Sequence, residues 1–233
     1  MKIIVVPRFL KALLKGSAAG TEHLDILKNL DCKFVLDIGA NRGQFSLVAR
    51  ECFPGAVIHA VEPLEEPVKI FRSIFKDDAH ITLHQCAIGS QSEVKTIHVT
   101  KDDDSSSLLP IGETQVKLFP STREKETRKV NVYILEELID VDIIQQPSLM
   151  KIDVQGYELE ILIGCQNILE KFNFLYIETS FVELYEGQAL ASEVIAFLER
   201  NGFLFKGVYN SYYDENGLAI QADCLFINST FYN

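Results

Sequence analysis

The chain has 233 residues, 33 of them acidic and 22 basic, which gives a formal net charge of −11 at neutral pH. Its apolar fraction of 47% and charged fraction of 24% are typical of a folded globular protein and exclude an intrinsically disordered chain. The acidic balance argues against broad binding to nucleic acid, because phosphates attract a basic surface.

The first 20 residues differ in charge from the rest of the chain. They contain no acidic residue and carry +4 of the total of −11, which leaves −15 for residues 21–233. Pro7 interrupts the apolar stretch Ile3–Val6, so no signal peptide is expected, and no run approaches the ~18–20 apolar residues of a membrane span. We expect residues 1–30 to form a basic helical segment that packs on the domain, with weak contact to a membrane surface as the alternative.

The cysteines indicate a reducing compartment. They are odd in number and far apart, and no C-x-x-C pair or Cys/His cluster occurs. We therefore expect reduced, mostly buried thiols in a soluble cytoplasmic protein. The cysteines are Cys32, Cys52, Cys86, Cys165 and Cys224.

Short β-type runs alternate with helical patterns from residue 33 onward. Strands separated by helices of ten to fifteen residues predict parallel βαβ units, and hence an α/β fold with a doubly wound sheet. The polar stretch 209–216 is typical of a hairpin, so the final strand is expected to be antiparallel to its neighbour. The predicted strands are 33–38, 56–61, 81–87, 148–153, 172–178, 203–208 and 222–227, and the predicted helices lie within 45–52, 68–75, 158–170 and 189–201.

One segment interrupts this alternation within a domain expected to span residues 31–233. It is an insertion at about 93–134, in which two β-like pieces flank the polar connection 101–129. A connection of this length inside a compact domain is uncommon. We expect it to be either a solvated surface loop or a lid over a substrate.

Glycines and acidic residues follow the first two predicted strands, where an open parallel sheet binds its ligands. The first strand ends in DIGANRG, in which three residues separate Gly39 from Gly43 and Asp37 precedes the first glycine by two positions. A carboxylate there would repel a pyrophosphate but attract a cation, which favours S-adenosylmethionine over NAD. Glu62 ends the second strand 23 residues after Gly39, in the region where a carboxylate accepts hydrogen bonds from ribose hydroxyls.

Later strand ends add three further candidate groups. Ala87 and Ile88 end the third strand and are small and apolar enough to lie against an adenine ring. Asp153 and Glu178 end the fourth and fifth strands, and we expect both carboxylates to face one cavity. The alternative for both acids is helix capping or simple exposure to solvent.

Several blocks of the chain resemble the FkbM family of S-adenosylmethionine-dependent methyltransferases. They run in order from about Phe34 to Glu178, and K-I-D-x-x-G-x-E is the specific element. The resemblance implies a Rossmann-like class I methyltransferase fold with a seven-stranded, mostly parallel sheet and an antiparallel last strand. It also implies O-methylation of a hydroxyl on a sugar, a glycan or a secondary metabolite. The blocks are DIGANRGQFS, VEP, CAIG, SSSL, LMKIDVQGYELEILIG and YIE.

The resemblance also implies positions for the site residues. It places Glu62 at the ribose and Asp153 at the reaction centre. Many members carry a glutamate where this chain has Gln155, so here we expect a hydrogen bond to substrate in place of a charge. The residues implied at the methionine part of the cofactor are Asp37, Gly39, Asn41 and Gly43. The resemblance also suggests that Ser106 and Ser107 lie near the mouth of the site and contact the substrate, and the alternative for both serines is a flexible turn. Independently of the resemblance, the candidates to contact substrate by stacking on sugar rings are Tyr157, Tyr185, Tyr212 and Tyr213, and the alternative for them is a place in the core or at the rim.

A hydroxyl group must lose its proton to accept a methyl group, so a base or a metal ion is needed. Asp153 and Glu178 are the candidate bases, or the oxygen ligands of a divalent ion such as Mg²⁺. His84 and His98 are alternative bases, although an isolated histidine in a β-like stretch is more often structural. Two other readings are an NAD-type Rossmann oxidoreductase and a non-catalytic cofactor-binding protein.

Overall fold

A computed structural model describes residues 6–231 of the chain, and within them a seven-stranded sheet and a separate three-stranded sheet are formed. The strands are β1 (Phe34–Ile38), β2 (Val57–Val61), β3 (Ile81–His84), β4 (Ala87–Ile88), β5 (Glu93–Thr100), β6 (Glu124–Tyr133), β7 (Ser148–Ile152), β8 (Phe174–Ser180), β9 (Phe203–Tyr213) and β10 (Ala219–Asn228). The α-helices are α1 (Pro7–Leu13), α2 (Leu24–Leu27), α3 (Gln44–Cys52), α4 (Glu65–Phe75), α5 (Glu113–Leu118), α6 (Leu135–Leu138), α7 (Glu158–Gly164) and α8 (Ala191–Arg200). Short 3₁₀ turns occur at Thr21–His23, Asp103–Ser105, Pro120–Thr122, Val141–Ile143, Gln166–Lys171 and Ser229–Phe231.

The larger sheet has the strand order β3-β2-β1-β7-β8-β10-β9. The first five strands in this order are parallel, whereas β10 is antiparallel to both β8 and β9. This confirms the predicted seven-stranded, mostly parallel sheet with an antiparallel last strand. The chain runs outward from β1 to β2 and β3 on one side and from β7 to β8 on the other. The order therefore reverses between β1 and β7, which is where such sheets bind ligands.

Burial on both faces explains why β1 is a continuous apolar run. Phe34, Leu36 and Ile38 pack with α7 and α8 in one core, while Val35 packs with α2 and α3 in a second core. All five positions of β1 are buried. Parallel central strands covered by helices on each side have this pattern, and it anchors the centre of the sheet.

The insertion differs from the prediction in having regular structure. Strand β6 begins at Glu124 and pairs along its length with β5, so the connection between the two strands shrinks to 101–123 and contains α5. The sequence pattern did not reveal the full length of this strand. Most of β6 is exposed on an antiparallel ribbon and carries charged side chains, so it lacks the apolar pattern of a buried strand. The predicted third strand is also shorter, since β3 ends at His84 and β4 pairs instead with β6.

Part of the insertion is packed against the domain and not solvated. Ser107 forms an isolated bridge with His98, and Ile111 forms one with Tyr185. The backbone N–H of Gly112 also donates to the carbonyl oxygen of Leu184. These contacts fix residues 107–112 over the segment that follows β8.

The N-terminal segment and the thiols follow the expected pattern where they are described. The helix α1 buries Ala12 against the domain, while Lys2 and the first part of the Ile3–Val6 stretch lie outside the described residues. Within residues 6–231 no helix is long and apolar enough to cross a membrane. The five cysteines are free thiols, and only Cys52 is not fully buried. The predicted helix 158–170 ends early, at Gly164, and continues as a 3₁₀ turn.

Two glycines with the same backbone conformation provide a matched test of the turn after β1. Gly39 has φ +79°, and a Cβ there would lie 1.8 Å from the carbonyl oxygen of Asp153, whereas Gly217 has φ +80° and open space around it. We expect Gly217→Ala to lose about 1 kcal/mol of unfolding free energy from the left-handed conformation alone. Gly39→Ala should lose at least ~3 kcal/mol, because the backbone of two strand ends must also separate. Urea unfolding measures both losses, and equal losses would contradict the close packing at Gly39.

Candidate active site

A cavity of about 230 Å³ lies at the carboxyl ends of β1, β2 and β7, beside the point where the strand order reverses. Its walls are formed by the turn after β1, the end of β2, residues 86–88, the insertion and the turn after β7. The predicted site residues that line it are Gly39, Asn41, Glu62, Ala87, Ile88, Ser106, Asp153, Gln155 and Tyr157. Sequence reasoning therefore placed most of its candidates at one cavity.

The turn after β1, residues 39–43, is left-handed at several positions and is here named the glycine turn. Gly39, Asn41 and Gly43 have φ of +79°, +44° and +86°. The missing side chain at Gly39 lets the carbonyl oxygen of Asp153 approach the turn. Gly43 does not line the cavity, contrary to expectation. A Cβ there would lie 2.6 Å from the ring of Phe75, so Gly43 instead allows α3 to pack against α4.

Glu62 is buried at the end of β2 and is held by two backbone groups. One carboxylate oxygen accepts the N–H of Asn41 at 3.0 Å, and the other accepts the N–H of Leu64 at 2.7 Å. Burial raises the pKa of Glu62 to about 7, against the opposing effect of these hydrogen bonds. Each oxygen retains a second lone pair, so the carboxylate can still accept hydrogen bonds from a ligand.

Beneath the glycine turn lies a buried lysine that sequence reasoning did not select. The Nζ of Lys151 lies 3.6 Å from Asp37 Oδ1 and 3.3 Å from Asp153 Oδ2, and it donates to the carbonyl oxygen of Gly39 at 3.2 Å. Burial alone would lower the pKa of Lys151, but the Asp153 and Asp37 carboxylates outweigh it and raise the pKa. The sequence signal for this group was a lysine within the otherwise apolar strand SLMKI, because a buried charge requires partners.

The same geometry corrects the expected role of Asp37. Its side chain is fully buried, accepts the Ser46 hydroxyl at 2.6 Å and does not line the cavity. Register explains this, because Asp37 and Lys151 are cross-strand neighbours on β1 and β7. Asp37 therefore contacts the lysine and not a ligand.

Asp153 and Glu178 form a carboxylate pair bridged by one amide. The Nε2 of Gln155 donates to Asp153 Oδ1 at 2.7 Å and to Glu178 Oε2 at 2.8 Å. The Tyr185 hydroxyl donates to Gln155 Oε1 at 2.7 Å, and Gln221 donates to the other oxygen of Glu178 at 2.8 Å. Both donor positions of the Gln155 amide are thus used inside the protein, and Oε1 keeps one lone pair with which it could still accept a hydrogen bond from a substrate.

The two carboxyl groups of the pair differ in acidity. Burial would raise the pKa of Asp153, but Lys151 and the hydrogen bond from Gln155 lower it below its usual range. Burial and the negative charge of Asp153 raise the pKa of Glu178 well above its usual range. Asp153 is therefore the more acidic member of the pair and is ionised at neutral pH, whereas Glu178 holds its proton more strongly than an ordinary glutamate. Asp153 lines the cavity and Glu178 does not.

The insertion contributes acidic groups that sequence reasoning did not select. Asp103 and Asp104 line the cavity together with Ser106. Asp103 accepts hydrogen bonds from Arg42 at 2.6 Å and from the Asn41 amide at 3.3 Å. These contacts fasten the insertion to the glycine turn.

Ser107 has a different place from the one predicted. It is buried and does not line the cavity. Its hydroxyl donates to the carbonyl oxygen of Gln155 at 2.6 Å and accepts the N–H of Leu109 at 3.0 Å. Ser107 therefore connects the insertion to the turn after β7 instead of contacting a substrate.

The remaining candidates lie away from the cavity. His84 is paired with His59 at 3.0 Å, and His98 is paired with Glu124 at 2.5 Å, so neither histidine lines the cavity as a base. Tyr185 is buried as part of the carboxylate network, whereas Tyr212 and Tyr213 are exposed on β9. The structure adds two lining residues from the N-terminal segment, Glu22 and His23, which no pattern in the sequence marked.

The donor set does not fit a divalent ion. Among residues 6–231 no group of three or more histidine, cysteine, aspartate or glutamate side chains could hold a metal. The two carboxylates predicted as alternative ligands are bridged by Gln155, and Lys151 Nζ lies 3.3 Å from Asp153. A second cation at Asp153 would be repelled by that ammonium group.

Comparison with known proteins gives one family for this chain. The model of the methyltransferase FkbM domain matches residues 37–205. Methyltransferase sdnD of Sordaria araneosa is 29% identical over 78% of this chain and 78% of its own length. The 31-O-demethyl-FK506 methyltransferase FkbM of Streptomyces tacrolimicus is 26% identical over 72% of each chain, and the 2-O-methyltransferase NoeI of Sinorhizobium fredii is 26% identical over 77% of each.

Solved structures match the fold at low sequence identity. Sp1610 of Streptococcus pneumoniae, a putative tRNA (m1A22) methyltransferase in complex with S-adenosyl-L-methionine, has a TM-score of 0.50 and 10% identity over 89% of this chain and 72% of that one. The fibrillarin pre-rRNA processing protein of Methanococcus jannaschii also has a TM-score of 0.50, with 12% identity over 96% and 76% of the two chains.

Removing the buried ammonium group should be costly. We expect Lys151→Met to lose about 3–5 kcal/mol of unfolding free energy, because Asp37 would be left as an uncompensated buried charge. The matched control is Lys95→Met, which removes a half-buried lysine 3.3 Å from Glu93 and should lose less than ~1 kcal/mol. Urea unfolding measures both, and a Lys151→Met loss no larger than the control would contradict the buried ion network.

Proposed function

This chain belongs to the FkbM methyltransferase family and is a methyltransferase, and we propose that it transfers the methyl group of S-adenosylmethionine to a hydroxyl of a sugar, a glycan or a secondary metabolite. The observation that carries the proposal is the ionised carboxylate of Asp153, which lines the cavity next to the glycine turn. Relatives described as a 2-O-methyltransferase and a 31-O-demethyl-FK506 methyltransferase support oxygen as the acceptor atom. Family membership removes the oxidoreductase and the non-catalytic alternatives.

The residues of the cavity fit S-adenosylmethionine. The wall formed by Ala87 and Ile88 is apolar enough for the adenine, and Glu62 keeps free lone pairs for the ribose hydroxyls. Gly39 has no side chain, so the backbone of the glycine turn beside Asn41 is left free to contact the methionine part of the cofactor. The acidic lining suits a ligand with two positive groups. When bound, this cofactor supplies an electrophilic methyl group on a sulfonium.

The protein's own part in the proposed reaction is to hold an acceptor hydroxyl and remove its proton. Asp153 is the base, because it is ionised and reaches the cavity. Glu178 is connected to the carboxylate of Asp153 through the amide of Gln155, and Tyr185 fixes that amide. Each group of the network thus has one orientation, which keeps the base in place for an in-line transfer.

The insertion is proposed to complete the acceptor side. Ser106 and Tyr157 line the cavity close to Asp153 and remain the candidate substrate contacts. Asp104 lies in the same wall, and burial, followed by Asp103 and Asp153, raises its pKa. An acceptor with hydroxyl groups would find both donors and acceptors along this wall.

Calorimetry tests the cofactor directly. The full chain should bind S-adenosylmethionine and its demethylated product, S-adenosylhomocysteine, and should not bind NAD. Mass spectrometry after incubation with S-adenosylmethionine and panels of sugars, glycans and polyketide alcohols should then show a gain of one methyl group on oxygen. Binding of NAD without binding of S-adenosylmethionine would contradict the proposal.

The pKa of Glu62 predicts how cofactor affinity varies with pH. The ionised carboxylate accepts both ribose hydroxyls and attracts the cationic ligand, and the pKa is raised to about 7. Affinity for S-adenosylmethionine should therefore fall as the pH drops from 8 to 6. Glu62→Gln should bind roughly tenfold or more weakly at pH 8 and lose most of this pH dependence. Glu66→Gln, an exposed glutamate on α4, is the control and should behave as the unmodified chain does in calorimetry.

The two members of the carboxylate pair should respond differently to neutral substitution. Asp153→Asn removes the base and should lower kcat by roughly 10²–10⁴-fold while cofactor affinity is kept. Glu178→Gln leaves the proposed base in place, so its kcat should fall far less. Turnover with the accepted substrate and calorimetry with S-adenosylmethionine check both variants. Full turnover by Asp153→Asn would show that another group takes the proton.

A further inference from the structure

The outward face of α1 and its C-cap carries three leucines that the other described residues do not cover. Leu10, Leu13 and Leu14 are 52%, 58% and 82% exposed. Their spacing of three and four residues places them within about 100° of one another around the helix. The opposite face is buried, because Ala12 packs in a cluster with Phe71 of α4. This exposed apolar stripe is therefore not required for the packing of α1.

Basic side chains border the stripe on one side. Arg8, Lys11 and Lys15 are exposed and lie roughly 60–120° around the helix axis from Leu14. Lys15 also donates to the carbonyl oxygen of Ser73, so its stem lies along the surface of α4. An apolar face beside a basic face is typical of a helix that lies in a membrane interface.

The charge distribution of the whole chain favours an anionic partner at this face. Residues 1–20 carry +4 and residues 21–233 carry −15. An anionic bilayer would repel most of the protein surface and attract this end, so the charge pattern fixes the orientation of approach. We propose that the exposed face of α1 docks reversibly on a bilayer that contains anionic phospholipids.

The docking face lies away from the cavity. Arg8, Lys11 and Lys15 border a groove that includes residues 77–80, immediately before β3, and hence the amino edge of the sheet. The cavity lies at the carboxyl edge. A bound protein would therefore keep its cavity open to acceptors in solution.

Vesicle flotation tests the proposal with the full chain. The protein should float with vesicles of phosphatidylcholine and 30% phosphatidylglycerol, and not with phosphatidylcholine alone, and 0.5 M salt should weaken the binding. Leu10→Ser/Leu13→Ser/Leu14→Ser should reduce partitioning roughly tenfold or more, because it removes exposed side chains only. Arg8→Gln/Lys11→Gln should reduce it roughly fivefold for each charge.

Matched variants elsewhere on the surface serve as controls. Leu218→Ser removes a leucine that is 65% exposed on the β9–β10 hairpin, and Lys76→Gln/Lys125→Gln removes two exposed charges. Both should float like the unmodified chain. Equal flotation of the triple serine variant, or no flotation of the unmodified chain, would overturn the proposal. A dimer in light scattering that the triple serine variant abolishes would overturn it as well, because a second copy would then cover the stripe.

Discussion

The site depends on one buried ammonium group that two carboxylates share. Lys151 lies between Asp37 on the neighbouring strand and Asp153 beyond its own strand, and it also donates to the glycine turn. A charge so deeply buried is stable only with partners on every side. The ammonium group therefore fixes the distance between β1 and β7 at their carboxyl ends, keeps Asp153 ionised, and holds the turn that forms the cavity floor.

The insertion joins the two halves of this site. Through Asp103 it contacts the glycine turn, where a cofactor is proposed to bind, and through Ser107 it contacts the turn that carries Gln155. Both contacts come from residues only four positions apart in one segment. A shift of the insertion should therefore affect both sides of the cavity, because one segment contacts both the proposed acceptor side and the proposed cofactor side.

Sequence patterns predicted the parts of the protein that depend on local composition. The apolar central strands, the glycine turn and the acids at strand ends all have signals within a few residues, and the structure brings most of them to one cavity. The pairing of Asp37 with Lys151 had no such signal, because the two lie 114 positions apart and meet only through strand order. The full length of β6 was also not predicted, because an exposed ribbon needs no apolar face and its charged residues give no strand pattern.

The amide of Gln155 has a consequence for repeated turnover. The amide lies between Asp153 and Glu178 and cannot take up a proton, so a proton received by the proposed base Asp153 is not passed to Glu178 through it. Its exit leads through the cavity that the methylated product also occupies. Under the proposed mechanism, regeneration of the base is therefore coupled to departure of the methylated product.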